Sequence, residues 1–277
     1  MKSIFGQSGM VKAALAVLLT ATVTTSIVFA QTVDKSSLES LIAGAHRSEA
    51  NRARNVYRHP VETLTFFGVR ADSKVVEIAP GGGWYTEVLA PYLRDRGLYV
   101  AALPASSARA RKAFEDKFSL NRELYDKAII MPFGKPDALN IRPEGGADFV
   151  LTFRNVHNWI GSDSVDAFFG SFFAALKPGG VLGLVEHRAK SGTTIAQSKD
   201  SGYVTEEYVI ERAQAAGFKL DARSEINANS KDTKDYAQGV WTLPPVLANK
   251  EVDREKYLAI GESDRMTLRF VKPLTAK

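Results

Sequence analysis

The 277-residue chain has no cysteine, which excludes disulfide bonds, a lipid-modified N-terminal Cys and thiolate metal ligands. Its four histidines, at 46, 59, 157 and 187, show no metal-ligand spacing, so no metal centre is expected. Charge of one sign is also lacking. Lys and Arg number 36 against 31 Asp and Glu, and the small excess is dispersed, which argues against a nucleic-acid partner. There are no repeats and no low-complexity tract.

Long apolar runs are absent too, with one exception at the start. Lys2 and Lys12 precede Ala13–Ala30, which carries no charge, and Val28-Phe29-Ala30 has the small residues of a cleavage site. Residues 1–30 are therefore expected to be an export signal. The alternative, an uncleaved anchor, is weakened by threonines at 20, 22, 24 and 25. The expected location is periplasmic, with no membrane contact after cleavage and 34 basic against 31 acidic residues in the remaining chain. Nothing in the sequence sets an oligomeric state.

What is present is a regular alternation. Strand patterns at 75–78, 99–103, 128–131, 149–153, 181–186, 218–222 and 266–271 are interleaved with helical patterns at 86–94, 106–117, 164–176 and 205–216. This predicts a three-layer α/β fold with a mostly parallel sheet. A long polar connection over 227–264, marked by Pro244-Pro245 and a short helix at 253–260, leads to a final strand expected to be antiparallel. Residues 31–72 read as an N-terminal helical extension and 73–277 as the α/β domain. Within the extension, Ser36 and Glu39 form a capping-box signature, and helical patterns follow at 49–57 and from Pro60 to Gly68. Four arginines between Arg47 and Arg58 read as a solvated helix face, with an anion-binding surface as the alternative.

The organising stretch is Val75-Val76-Glu77-Ile78-Ala79-Pro80-Gly81-Gly82-Gly83-Trp84-Tyr85-Thr86, a strand, a glycine turn and a helix start. Glycines without Cβ let a ligand approach the backbone, and Glu77 stands near the strand's carboxyl end, where open α/β sheets bind ligands. After the fourth strand comes Arg154-Asn155-Val156-His157-Asn158-Trp159, which concentrates a cation, amides, an imidazole and an aromatic ring beside the expected switch point. His157 is the candidate base because imidazole is the side chain that titrates near neutrality, with substrate orientation as its alternative role. Glu186-His187 ends the fifth strand on the same edge.

Together these pieces resemble the class I S-adenosylmethionine-dependent methyltransferases, and more narrowly an exported bacterial group, from about Asn51 to Pro273. The carriers are Glu77–Gly83, Asp148-Phe149-Val150-Leu151, Leu176-Lys177-Pro178-Gly179-Gly180-Val181-Leu182, Trp241–Pro245 and Asp264–Phe270. The resemblance implies a seven-stranded Rossmann-like sheet, S-adenosylmethionine as cofactor at Glu77, Ala79, Gly81, Gly82 and Gly83, and an adenine-side role for Asp137. The cluster after the fourth strand is expected to carry catalysis through Arg154, Asn155 and His157. A small-molecule or exported acceptor would meet Asn158, Trp159, Glu186, His187, Trp241 and Arg265. Two positions depart from the family pattern: Ala79 replaces a glycine, and Leu103 stands where an acid would hold the ribose. The alternative reading is a binding protein that keeps the fold without transferring a methyl group. A nicotinamide-dependent enzyme is disfavoured, because the pattern from Gly81 ends in Thr86 and Leu103 is not acidic.

Overall fold

Runs of branched apolar residues with turn signals between them pair into one sheet because both faces can be covered by helices. The structure, a computed structural model, describes Met1 and residues 33–274, so the expected export signal lies, apart from Met1, outside the described residues. The strands are β1 (Lys74–Ile78), β2 (Leu98–Pro104), β3 (Ile129–Phe133), β4 (Ala147–Phe153), β5 (Leu176–His187), β6 (Lys219–Ser224) and β7 (Arg265–Val271). They lie in the order β3-β2-β1-β4-β5-β7-β6. Strand β7 runs antiparallel to both β5 and β6, and the remaining pairings are parallel. This is the three-layer fold that the alternation predicts, with the antiparallel last strand expected from the long connection and the seven-stranded, Rossmann-like sheet that the resemblance implies.

Four helices precede the sheet: α1 (Lys35–Ala43), α2 (Glu49–Arg52), α3 (Asn55–Arg58) and α4 (Pro60–Phe67). The expected capping box at Ser36 is corrected: Asp34 caps α1, its carboxylate accepting from the Ser37 amide at 3.0 Å. The continuous helix expected over 49–57 divides in two, where amides of Arg54 and Tyr57 bond three residues back and tighten the chain. Helix α4 starts with Pro60 and stops at Gly68, whose φ of 86° suits a residue without Cβ.

The remaining helices are α5 (Thr86–Leu93), α6 (Ala108–Leu120), α7 (Arg122–Tyr125), α8 (Val156–Gly161), α9 (Val165–Ala175), α10 (Ile195–Ser201), α11 (Glu206–Ala215) and α12 (Arg254–Ile260). Of these, α7, α8 and α10 were not expected. Among the described residues no helix is long and apolar enough to cross a membrane.

Alternation along the strands builds two apolar layers. Val76 and Ile78 of β1 join Val100 and Ala102 of β2 on the face covered by α9 and α11. Val75, Tyr99, Ala101 and Leu103 face the other way, against Leu38, Leu64, Phe67, Val88 and Leu89 of α1, α4 and α5. The period of two therefore points Glu77 into this second layer, beside Tyr99. Strands are added outward in one direction from β1 to β3 and in the other from β4 onward, so the order reverses between the parallel neighbours β1 and β4, and this is the switch point at which an open sheet binds ligands. Register places Ile78 beside Thr152, so the turns after β1 and β4 open side by side.

Candidate active site

A cavity of about 320 Å³ opens above the carboxyl ends of β1, β4 and β5. That lies at the small end of small-molecule sites. Its floor on one side is the glycine turn. Gly81 has φ 60°, and a Cβ added at Gly81 or Gly82 would meet nothing within 4 Å, so the backbone there is open to a ligand. Gly83 does not line the cavity. At φ 80° it closes the turn, and an added Cβ would stand 3.3 Å from Phe114 and Thr86, so its glycine serves packing.

Glu77 lies below that turn, only 2 % exposed. Tyr99 donates to its Oε2 at 2.6 Å and Thr86 at 3.1 Å. Burial pushes its carboxyl up to about 7, against the lowering by these two hydrogen bonds. Ala79 carries a Cβ at φ 44°, a left-handed conformation that strains an alanine. Arg154, at the end of β4, is also left-handed at φ 61°. Two non-glycine residues in this region on one cavity rim mark the place where backbone geometry is held against its preference.

The β4 side is built around Glu186, whose side chain is fully buried. Its Oε2 accepts the Val156 amide at 2.6 Å and its Oε1 the His187 amide at 2.8 Å, so the carboxylate is fixed at the start of α8. The same Oε1 lies 3.0 Å from Nδ1 of His157. A carboxylate only accepts, so the ring hydrogen belongs on Nδ1 and Nε2 keeps its lone pair. An imidazole oriented by a buried carboxylate is the geometry of a held base. His187 also lines the cavity, hydrogen-bonded to Ser263 at 2.6 Å. Burial first, then the His157 ring and nearby guanidiniums, hold its pKa well below the usual imidazole value.

The fold thus brings His157, Glu186 and His187 together, with one ligand atom of each within 4.8 Å of the others. The sequence spacing gave no sign of this cluster. Both Glu186 oxygens are already engaged by backbone N–H groups, and Arg58, Arg154 and Arg265 bear on the same space. A cation there would meet net repulsion.

Other expected site residues are placed as follows. Asn155 lines the cavity, but its amide nitrogen donates to Ile78 O at 2.9 Å and Thr152 Oγ1 at 3.1 Å, so it ties β4 to β1. Trp241 stands at the mouth with its ring 6.3 Å from that of His157. Five expectations are corrected. Trp159 is a core residue against Phe168 and Phe172, because α8 turns its apolar face inward. Asn158 falls on the exposed face of that helix. Glu186 lies behind His157 instead of lining the cavity. Arg265 is buried in an ion cluster beneath it. Asp137 is exposed in the turn after β3, away from the cavity, and Leu103 is packed into the second apolar layer.

The arginines of the N-terminal extension are the main omission of the sequence reading. Arg54 and Arg58 line the cavity with Asn51, and Arg47 and Arg58 are 1 % and 5 % exposed, not solvated. Trp84 explains why: the two guanidiniums stand 4.6 and 4.7 Å from its ring centroid. Glu262 completes the cluster, paired with Arg54 at 2.5 Å, with Arg58 at 3.3 Å and with Arg265. Burial alone would raise its carboxyl, but Arg265 and Arg58 together with Arg54 hold it well below the usual carboxylate range. The one available signal was four arginines ahead of a Trp in the glycine turn.

No protein-family model matches this sequence, and no curated protein is significantly similar to it. Solved structures do share its fold. A SAM-dependent methyltransferase from Aquifex aeolicus aligns over 87 % of this chain and 100 % of its own, at TM-score 0.53 and 14 % identity. The [4+2]-cyclase SpnF aligns over 84 % of this chain and 86 % of its own, at TM-score 0.56 and 16 % identity. The mitomycin 7-O-methyltransferase MmcR aligns over 86 % and 61 %, at TM-score 0.50 and 14 % identity. At these identities the likeness is one of fold.

Proposed function

We propose that the protein is an S-adenosylmethionine-dependent methyltransferase acting on a small acceptor. The observation that carries this reading is a single cavity with two walls: the open Gly81-Gly82 backbone above Glu77, and His157, held from behind by Glu186. Its setting, the switch point of a sheet shared with methyltransferases, agrees.

The residues present suit the amino-acid end of the cofactor. Glu77 offers a carboxylate to a cationic group, Gly81 and Gly82 admit a close approach, and Arg58 has a buried Nη2 without a partner among the described residues. When bound, the cofactor supplies an electrophilic methyl group on a sulfonium. The chain's own contribution is alignment, exclusion of water and proton removal. Asn155 holds the two strand ends in register, the aromatic walls of Tyr85 and Phe153 stack at 3.7 Å, and Glu186 keeps Nε2 of His157 ready to take an acceptor proton.

A second reading, a ligand-binding protein without turnover, is favoured by one observation. Leu103 is buried in the apolar layer, so the carboxylate that the family resemblance implies for the ribose has no counterpart there. The shared fold does not choose between them, since a cyclase also has it. Calorimetric titration with S-adenosylmethionine and S-adenosylhomocysteine does: the proposal expects saturable binding of both, and no binding at about 1 mM sinks it. We further propose that residues 1–30 direct export to the periplasm, with an intact mass beginning at Gln31 as the expected product and a cytoplasmic, full-length chain as the contrary one.

A further inference from the structure

The cavity has more positive charge than its own acids neutralise. Arg54, Arg58 and Arg154 line it, Arg265 lies beneath it, and Glu262 is the carboxylate that pairs with Arg54, Arg58 and Arg265. The fourth, Arg154, makes no ion pair and no side-chain hydrogen bond among the described residues, although it lines the cavity directly. Burial first, and then Arg265, lower its pKa to about 10, so its charge stands in a poorly hydrated, positive surrounding. Glu186, hydrogen-bonded to His157 and to the amides of Val156, His157 and His187, favours the Arg154 charge through space but forms no ion pair with it. Nor are the paired arginines saturated: Nη2 of Arg54, Nη2 of Arg58 and Nε of Arg265 are buried without partners. Buried donors in such number signal a missing acceptor.

The apolar part of the same cavity is equally definite. Tyr85 stacked on Phe153, Trp241 at the mouth, and Pro244, Pro245 and Val246 opposite give it flat, hydrophobic walls.

We infer that the acceptor is an organic acid with a flat apolar body, its carboxylate received by Arg154 at the foot of β4, three residues before His157. This rests on the methyltransferase reading for the word acceptor, while the anion site itself stands on Arg154 and its surroundings. A guanidinium presents two parallel N–H groups to a carboxylate, and such charge-assisted pairs are the strong ones in a desolvated site. Arg58, beside Trp84 of the glycine turn, is left as the candidate for the cofactor's own carboxylate.

Benzoate and its neutral isostere benzamide are suitable probes, titrated calorimetrically into the purified protein saturated with S-adenosylhomocysteine. Benzoate is expected to bind at least about tenfold more tightly than benzamide. In R154M that preference should vanish while S-adenosylhomocysteine affinity stays within about twofold. R154K should restore part of it, since lysine keeps the charge without the fork. Equal affinity of the two probes in the native protein, or no binding of benzoate, overturns the inference without any variant. A loss of S-adenosylhomocysteine affinity in R154M with benzoate unaffected also overturns it, by assigning Arg154 to the cofactor. If benzoate binds selectively and S-adenosylhomocysteine does not bind at all, the anion site is upheld and the methyltransferase reading falls.

Discussion

Glu77 and Glu262 are equally buried, each 2 % exposed, and yet their carboxyls are displaced in opposite directions. Glu77 has hydroxyl neighbours, Tyr99 and Thr86, which stabilise its charge too little to offset burial. Glu262 has three guanidiniums, which reverse the effect of burial. The contrast shows that burial sets the scale of a shift and the neighbours set its sign. It also divides the labour. Glu262 is permanently charged scaffolding that holds both ends of α3, through Arg54 and Arg58, over the cavity, and Glu77 is a group whose charge a ligand can change.

The largest break in that comparison should come from removing the scaffold charge. Glu262→Gln leaves Arg54, Arg58 and Arg265 facing one another without a counterion. It is expected to destabilise the protein by about 3–5 kcal/mol, read as a fall in the urea midpoint. Loss below about 1 kcal/mol would mean the cluster is solvated. A depressed folded pKa at Glu262 gives stability that is present above the ordinary carboxylate pKa and lost as pH falls through the folded value. The raised pKa of Glu77 acts oppositely, its contribution falling as pH rises from 4.5 to about 7.

A third buried carboxylate sharpens the contrast, because Glu186 faces an imidazole and backbone amides. Under the proposed function, His157→Ala should lower turnover by about 100-fold or more and leave S-adenosylhomocysteine affinity nearly unchanged. Glu186→Gln should lower turnover as well, since an amide can present a hydrogen to Nδ1 and turn the ring's lone pair away from the cavity. A fully active His157→Ala variant removes His157 from the mechanism.

How far this was legible from sequence follows the same division. All seven strands and the switch-point edge were readable, since branched runs and glycine turns are local signals. Glu77, Gly81, Gly82, Arg154 and His157 were placed on that edge by their positions at strand ends. The pairing of His157 with Glu186 was not readable, because it joins two residues 29 apart in sequence through a helix of only six residues, α8. Arg58 and Glu262 are 204 positions apart, and only the folded chain shows that the arginine run meets an acid and a tryptophan instead of water. Trp159 was misplaced for a related reason: once α8 forms, its apolar face turns into the core.

A smaller effect tests whether Glu77 is the responsive partner. A cationic group bound beside it favours the ionised form, so binding of S-adenosylhomocysteine below pH 7 should release protons. Calorimetry in buffers of different ionisation enthalpy reads this directly, and the expected gain in affinity from pH 6 to 8 is up to about tenfold. Glu77→Gln should abolish both the proton release and the slope. Binding that is independent of pH in the native protein would separate Glu77 from the ligand.

The smallest expected effect concerns the backbone that joins Glu77 to the glycine turn. Ala79 sits at φ 44°, where its Cβ is strained, and its amide donates to Ala102 O at 2.9 Å, so the conformation is held by the sheet and cannot relax. Ala79→Gly relieves the strain and adds freedom to the unfolded chain, two terms of opposite sign. Left-handed alanine is disfavoured by about 1–2 kcal/mol and the entropic term is about 0.4–1 kcal/mol, so a net stabilisation of about 0.5–1 kcal/mol is expected as a rise in thermal midpoint. A destabilised glycine variant would show that the alanine methyl makes a packing contact worth more than the strain it carries.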